Sequence, residues 1–167
     1  AEYYLNLSID MAVETDNKNR LASNYHSMGS LHLDQNQIDE AKKYYLKSMQ
    51  MNQQSGNQWL LSYNYQGLAA YYDRLGQKTN NKNDFLQSAK YARKLIDLAK
   101  EMEAGERLMV GYERLWDAQR MLGDYEKALK TFIQYDQLKD SIFNKNKSRQ
   151  ILEMKTKYET TEKELKI

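Results

Sequence analysis

The 167-residue sequence carries a formal charge of +2, from 25 basic and 23 acidic residues, and contains neither cysteine nor proline. This charge balance argues against general affinity for nucleic acid, and the lack of cysteine excludes disulfides and thiolate metal sites. The length suffices for one domain with a core, no stretch is apolar enough to span a bilayer, and the lack of proline suits helices. Because the chain starts at Ala1 without Met or a signal-like stretch, we expect an excised or processed piece.

The first predicted element is a single helix over residues 1–14. Ala1 and Leu5 have the same spacing as Ala41 and Tyr45 later in the chain. Since the later pair lies on the second helix of a two-helix unit, residues 1–14 are predicted to be the second half of such a unit. A polar turn follows this helix.

Residues 20–52 predict the first whole unit, two helices joined by a polar turn at 34–37. On both helices, apolar or small residues recur at three- and four-residue spacing, which is typical of amphipathic helices. Gly29 lies in the interior of the first helix, where glycine costs roughly 1 kcal/mol relative to alanine. We therefore expect a close contact between helices at Gly29.

Residues 57–102 predict the second whole unit, in which Gly67 takes the position of Gly29. The stretch from Gly76 to Asp84 is rich in Asn and Lys and is predicted to be a longer loop. A glutamine lies three residues after Asp84, so the next helix is predicted to begin with a capping box.

Residues 107–138 predict the third whole unit, with a tight turn at Gly123 and Asp124. Gly123 is expected to adopt the left-handed conformation that ends a helix, and Asp124 to cap the next helix with its side chain. Ala128 is small enough to let the two helices approach. Trp116 stands where the other units have glycine, so this helix pair is expected to be splayed or shifted.

Together, the units resemble the tetratricopeptide repeat (TPR), a helix-turn-helix of about 34 residues that buries its apolar faces by stacking. The matching aromatic, small, small and large apolar positions are Tyr25/Gly29/Ala41/Tyr45, Tyr63/Gly67/Ala89/Arg93 and Tyr112/Trp116/Ala128/Phe132. Arg93 departs from the pattern, and the proline that usually closes a repeat is missing. The resemblance implies an all-α, right-handed superhelix of antiparallel helix pairs over residues 1–138, followed by a long C-terminal helix.

The tail, residues 139–167, has no turn residue after Asn146 and is predicted to be one long helix. One stripe of this helix is mainly apolar and consists of Ile151, Met154 or Lys155, Tyr158 and Leu165. Two arrangements remain open. The stripe either caps the repeats over residues 142–154, which we favour, or projects as a coiled-coil arm through which two chains self-associate.

Residues 155–164, Lys-Thr-Lys-Tyr-Glu-Thr-Thr-Glu-Lys-Glu, follow Leu-Lys-Asp-Ser-Ile at 138–142. This tail resembles the junction in bacterial TPR signalling proteins, where a TPR sensor region precedes a membrane span and a histidine kinase or DNA-binding output. The resemblance implies a sensor on the periplasmic side of a membrane-anchored protein, with membrane contact through flanking sequence only and no direct contact with nucleic acid. A free-standing adaptor that scaffolds a protein complex, with a cytoplasmic location, is the alternative.

Catalytic, cofactor and metal sites are not expected, and the chain is not predicted to be an enzyme. His26 and His32 lie six residues apart on different helix faces, and neither has a carboxylate at the three- or four-residue spacing of a helical metal site. The glycines form no phosphate-binding loop, and no serine lies in a nucleophile elbow.

The TPR resemblance implies instead a concave groove for a protein or peptide ligand, lined by the first helix of each unit. With Tyr25, Tyr63 and Tyr112 taken as equivalent, the predicted lining residues are Ser23, His26, Ser30, Leu33, Leu61, Asn64, Leu68, Tyr71, Glu113, Asp117 and Arg120. His26 and Ser30 stand where TPR domains that clamp a terminal carboxylate carry Lys and Asn, which disfavours a receptor for chaperone tails. A groove that is solvated or filled by the chain's own tail remains open.

Overall fold

The computed structural model describes the backbone of residues 1–164 and the side chains of residues 1–156. Within this part the chain is all-α, as predicted, and contains no strand. The helices are α1 (Glu2–Glu14), α2 (Lys18–Asp34), α3 (Ile38–Ser55), α4 (Gln58–Thr79), α5 (Lys82–Glu101), α6 (Gly105–Met121) and α7 (Tyr125–Glu164). No helix in the described part is long and apolar enough to cross a membrane.

Each helix packs against its neighbours along the chain, which gives two layers of helices. In addition, α2 contacts α4 and α4 contacts α6, whereas the odd-numbered helices do not contact one another within the described residues. The even-numbered helices contact one another, so they lie closer together than the odd-numbered helices do. The array therefore curves toward α2, α4 and α6. These three helices form the concave face.

Asparagine caps the starts of several helices, and a glycine follows the end of α6. The side chain of Asn17 caps α2 by accepting from Arg20 N at 3.0 Å, and Asn57 caps α4 by accepting from Leu60 N at 3.0 Å. Gly123 has a φ of +80°, which confirms the predicted left-handed turn before α7.

Tyr45 of α3 packs against both α2 and α4 and so joins these three helices. Its ring is 2% exposed, and its hydroxyl donates to Ser30 Oγ of α2 at 3.1 Å. A Cβ atom at Gly29 of α2 would lie 2.8 Å from Tyr45 Cδ1, and one at Gly67 of α4 would lie 2.5 Å from Tyr45 Cε1. The close contact predicted at Gly29 is confirmed, and the same ring also holds α4 against α3.

A second apolar core joins α5 and α6. Its buried side chains are mostly small, which lets the two helices approach, and they are Ala89, Ala92, Ile96, Leu115 and Ala118. In the following pair, Trp116 of α6 meets Phe132 of α7 edge to face, with ring centroids 5.5 Å apart. An aromatic pair thus replaces the glycine–tyrosine contact of the first unit.

The loop predicted from Gly76 to Asp84 is wrong. Helix α4 continues to Thr79, and only two residues separate it from α5. Gly76 is buried within α4, where a Cβ atom would lie 2.8 Å from Phe85 Cε1. This glycine therefore serves close packing of α4 on α5 and does not end a helix.

The capping box predicted at Asp84 is also wrong. Asn81 caps α5, and its side chain accepts from Asn83 N at 3.0 Å. The carboxylate of Asp84 instead accepts a hydrogen bond from the Thr79 hydroxyl at 3.0 Å. Asp84 thereby ties the end of α4 to the start of α5.

Helix α7 projects beyond the packed helices. It has 40 residues and a length of about 60 Å, whereas α6 has 17 residues and a length of about 25 Å. Ile142 still reaches α6, 3.8 Å from a Cβ built on Gly105. The large apolar residues beyond it are more than half exposed, namely Phe143, Ile151, Leu152 and Met154.

The favoured prediction, that residues 142–154 cap the repeats, is therefore wrong. Helix α7 is longer than α6, on which it packs, and extends beyond its end. The alternative, a projecting arm, agrees with this geometry. Tyr158 and Leu165, the remaining members of the apolar stripe, lie outside the residues whose side chains are described.

Candidate functional site

Two adjoining cavities lie on the concave face. The larger, of about 510 Å³, lies between α2, α3 and α4, and the smaller, of about 310 Å³, extends from α2 and α4 toward α6. The larger cavity has the size of a typical ligand pocket. Both cavities share His26, Ser30, Asp34 and Tyr63. We call the two together the groove.

The residues predicted on α2 lie beside these cavities. Ser23 lines the larger cavity, Leu33 lines the smaller, and His26 and Ser30 line both. The three- and four-residue spacing of this set places it on one face of α2. These four positions of α2 thus border the groove.

The residues predicted on α4 do not line either cavity. Asn64 and Leu68 are 0% exposed and Tyr71 is 2% exposed, while Leu61 is half-buried away from both cavities. Helix α4 is rotated relative to the prediction. The side that it turns to the groove carries Leu60, Tyr63, Gln66 and Ala70.

A buried polar network explains this rotation. Asn64 Oδ1 accepts from Asn52 Nδ2 at 2.6 Å, and Asn64 Nδ2 donates to Ser48 Oγ at 2.8 Å. Ser48 Oγ in turn donates to the carbonyl of Ala22 at 2.6 Å. Since buried polar groups need partners, the network draws Asn64 into the interface of α2, α3 and α4. Asn64, which the repeat register predicted in the groove, is thus a core residue.

The residues predicted on α6 lie outside the two cavities. Arg120 donates to Asp117 at 3.2 Å in a partly exposed ion pair, and Glu113 is half-buried and lines neither cavity. Two arginines of α6 that the prediction missed lie at or near the groove: Arg114 lines the smaller cavity, and Arg107 lies outside both cavities but close enough for its charge to act on His26. They are seven residues apart, a spacing that places both on one helix face and was readable from the sequence.

Arg107 fixes the aromatic side of the groove. Its guanidinium carbon lies 4.0 Å from the centroid of the Tyr63 ring, and its Nε and Nη2 donate to Ser62 Oγ and to the Ser62 carbonyl, both at 3.1 Å. The side chain is 6% exposed. A desolvated guanidinium on an aromatic face is a favourable contact, so Arg107 of α6 helps to hold the Tyr63 ring of α4 in place.

His26 lies at the centre of the groove and is neutral near pH 7. Its ring centroid is 5.3 Å from that of Tyr45 and 6.0 Å from that of Tyr63. Burial, together with the positive charge of Arg107, lowers the pKa of His26 from 6.5 to about 4. Its Nδ1 is buried and has no hydrogen-bond partner among the described residues.

Asp73 of α4 lies among charges contributed by α4 and α6. Burial, and then the nearby charge of Asp117, raise the pKa of its carboxyl, whereas Arg114 and Arg120 act in the opposite direction. Its Oδ2 accepts a hydrogen bond from Gln77 Nε2 at 2.7 Å. Acidic and basic side chains therefore alternate here, and neither sign dominates.

No family model matches the sequence, and a comparison with curated proteins finds no significant relative. In the part of the chain with described side chains, no group of three or more His, Cys, Asp or Glu residues is placed to hold a metal ion.

Proposed function

We propose that this chain is a helical-repeat protein of the TPR type whose groove binds a peptide segment of another protein. The observation that carries the proposal is a set of buried polar atoms without partners at the smaller cavity, namely His26 Nδ1, Gln66 Oε1 and Arg114 Nε. Leaving such a group unpaired costs about 1–3 kcal/mol. These atoms are inaccessible to solvent as the side chains stand, so a ligand recovers that free energy when the side chains turn toward it and pair with it.

A peptide suits this arrangement because its backbone presents hydrogen-bond donors and acceptors together with side chains of varied chemistry. The larger cavity offers apolar surface from Leu31, Leu60 and Tyr63 beside serine hydroxyls. The smaller cavity offers the unpaired polar atoms. The two cavities adjoin, so one extended chain spans both.

The test is a peptide array probed with the purified protein, followed by titration of the tightest peptide against two variants. Tyr63→Ser removes the ring shared by both cavities and is expected to weaken binding roughly tenfold or more, as loss of a buried aromatic anchor does. Tyr65→Ser is the matched control, since Tyr65 lies two residues on and packs near Tyr91, outside the groove. Equal affinity for both variants would contradict the proposal.

We further propose that the chain is the sensory segment of a bacterial, membrane-anchored signalling or transcription-regulating protein, with the groove on the periplasmic side. The projecting α7 supports this role. Its first turns pack on α6, where Ala128 and Thr131 are each 6% exposed, so a change at the groove layer that moves α6 also moves α7. A continuous helix carries such a displacement over a distance.

This sensor proposal predicts that ligand binding changes the direction of α7. Since the chain has no cysteine, Gln54→Cys and Gln150→Cys place two spin labels specifically, one on α3 and one on the exposed part of α7. The tightest array peptide is expected to shift the distance between the labels by about 3 Å or more. An unchanged distance distribution at saturating peptide would favour a rigid adaptor instead.

A further inference from the structure

The smaller cavity contains an arginine whose Nε has no partner. Arg114 Nε is buried without a hydrogen-bond partner among the described residues, whereas Arg120, six residues further on α6, donates to Asp117 at 3.2 Å. Gln66 Oε1, a strong acceptor, lines the same cavity and is also unpartnered. Both atoms are inaccessible to solvent, so a ligand pairs with them when the two side chains turn into the cavity, and it then brings an acceptor for Arg114 and a donor for Gln66.

The larger cavity has the opposite character. Two of its serine hydroxyls are used within α2, since Ser27 Oγ donates to the Ser23 carbonyl at 3.1 Å and Ser30 Oγ donates to the His26 carbonyl at 3.2 Å. Their only donors are thus occupied. What remains for a ligand is mainly apolar surface, and burying a large apolar side chain there is favourable.

We propose that the groove selects peptides in which a large apolar residue lies close to a single acidic residue. The apolar side chain occupies the larger cavity. Arg114 donates to the carboxylate of the acidic residue, and Gln66 Oε1 accepts a backbone N–H of the peptide. This inference rests on the proposed peptide-binding function and specifies the class of its ligand.

The acidic residues of the groove limit the ligand to one carboxylate. Asp34 is exposed and lines both cavities, so it repels an anionic ligand while Arg114 attracts it. Asp73 also lies near Arg114 and adds negative charge. A second acidic residue in the peptide would meet these carboxylates without a further free arginine, so polyacidic peptides are expected to bind worse.

The experiment uses an array of peptides blocked at both ends, so that no terminal carboxylate or amine contributes. Each peptide has a Gly/Ser frame with one variable apolar position (Leu, Phe or Ser) and one variable charged position (Glu, Gln or Lys), one to three residues apart. The wild-type protein is expected to bind the Leu–Glu or Phe–Glu peptides roughly tenfold more tightly than their Gln counterparts. Replacing Leu or Phe with Ser is expected to abolish the binding.

Two variants assign this preference to named residues. Arg114→Gln is expected to remove most of the preference for Glu over Gln, whereas the matched variant Arg120→Gln keeps it. Asp34→Asn is expected to raise the affinity for Glu peptides two- to threefold, because it removes a repulsive charge. If Arg114→Gln does not fold, the wild-type comparison and Asp34→Asn still decide the question.

The outcomes separate the two levels of the proposal. Equal binding of Glu and Gln peptides by the wild-type protein, with Leu or Phe still required, would overturn the acidic specificity and leave peptide binding intact. A preference for Lys would assign the specificity to Asp34 and also overturn the inference. If no peptide binds at about 1 mM, a level at which even weak specific complexes form, the proposed function itself fails.

Discussion

The Tyr45→Ala variant is expected to lose about 3–5 kcal/mol of unfolding free energy, the range for removing a large aromatic side chain from a core. The ring is nearly inaccessible to solvent and lies between Gly29 of α2 and Gly67 of α4. Its loss leaves a cavity at the meeting point of three helices and removes the hydrogen bond to Ser30. Neither glycine has a side chain that can fill the space.

Urea unfolding followed by circular dichroism measures this effect. Tyr125→Ala is the control, because the Tyr125 side chain is 69% exposed and its removal is expected to change stability by less than about 0.5 kcal/mol. The Gly67→Ala variant should lose about 1–3 kcal/mol through overpacking against Tyr45, and less when Tyr45 is replaced by Leu. A loss below about 1 kcal/mol for Tyr45→Ala would contradict the packing described above.

The protein is expected to lose about 2 kcal/mol of stability between pH 7 and pH 5 through His26 alone. Folding lowers the pKa of this residue from 6.5 to about 4, so the unfolded chain binds the proton more readily than the folded chain does. The contribution is fully present above pH 6.5. The contribution is lost as the pH falls from 6.5 toward 4. The loss is complete below the pKa of the folded state.

The measurement compares unfolding free energies at pH 7 and pH 5 for the wild type and for His26→Gln, which cannot be protonated in this range. The variant is expected to show about 2 kcal/mol less pH dependence than the wild type, since other groups titrate equally in both. His32→Gln controls for the second histidine and should keep the wild-type dependence on His26. Identical pH dependence in the wild type and His26→Gln would show that the site of His26 does not exclude the proton.

Local patterns in the sequence predicted much of this fold. Gly29 in the interior of α2 predicted a close contact with a neighbouring helix, and Gly123 predicted the turn before α7. Both features depend on a residue's own conformational or steric properties, which are readable without knowing the tertiary structure. The helix pairs followed from the spacing of apolar residues for the same reason.

The misplaced features depend on contacts that are distant in sequence. The residues around Gly76 have the composition of a loop, yet Gly76 is helical and Phe85 packs against its backbone. The repeat register predicted Asn64 in the groove, but its partners Ser48 and Asn52 draw it into the core. The exposed end of α7 follows from the shortness of α6, which an apolar stripe on α7 alone does not reveal.

The candidate groove was predictable on one helix and not on the others. The positions on α2 followed directly from the repeat spacing, whereas those on α4 required knowledge of its rotation. Arg107 and Arg114 were detectable as a pair at seven-residue spacing, but their role depends on Tyr63 and Gln66 of another helix. The groove is thus a tertiary feature built on a locally encoded scaffold.

The most direct test of peptide binding in the groove is an NMR titration of the labelled protein with the tightest peptide from the array. We expect the backbone amide shifts to concentrate on the groove-facing residues of α2, α4 and α6, around His26, Tyr63 and Arg114. The opposite result is a set of shifts around Tyr44 of α3 and Tyr91 of α5, which lie outside the groove, or on the projecting end of α7. If the amide signals of the groove residues stayed unchanged at the same time, binding in the groove would be contradicted.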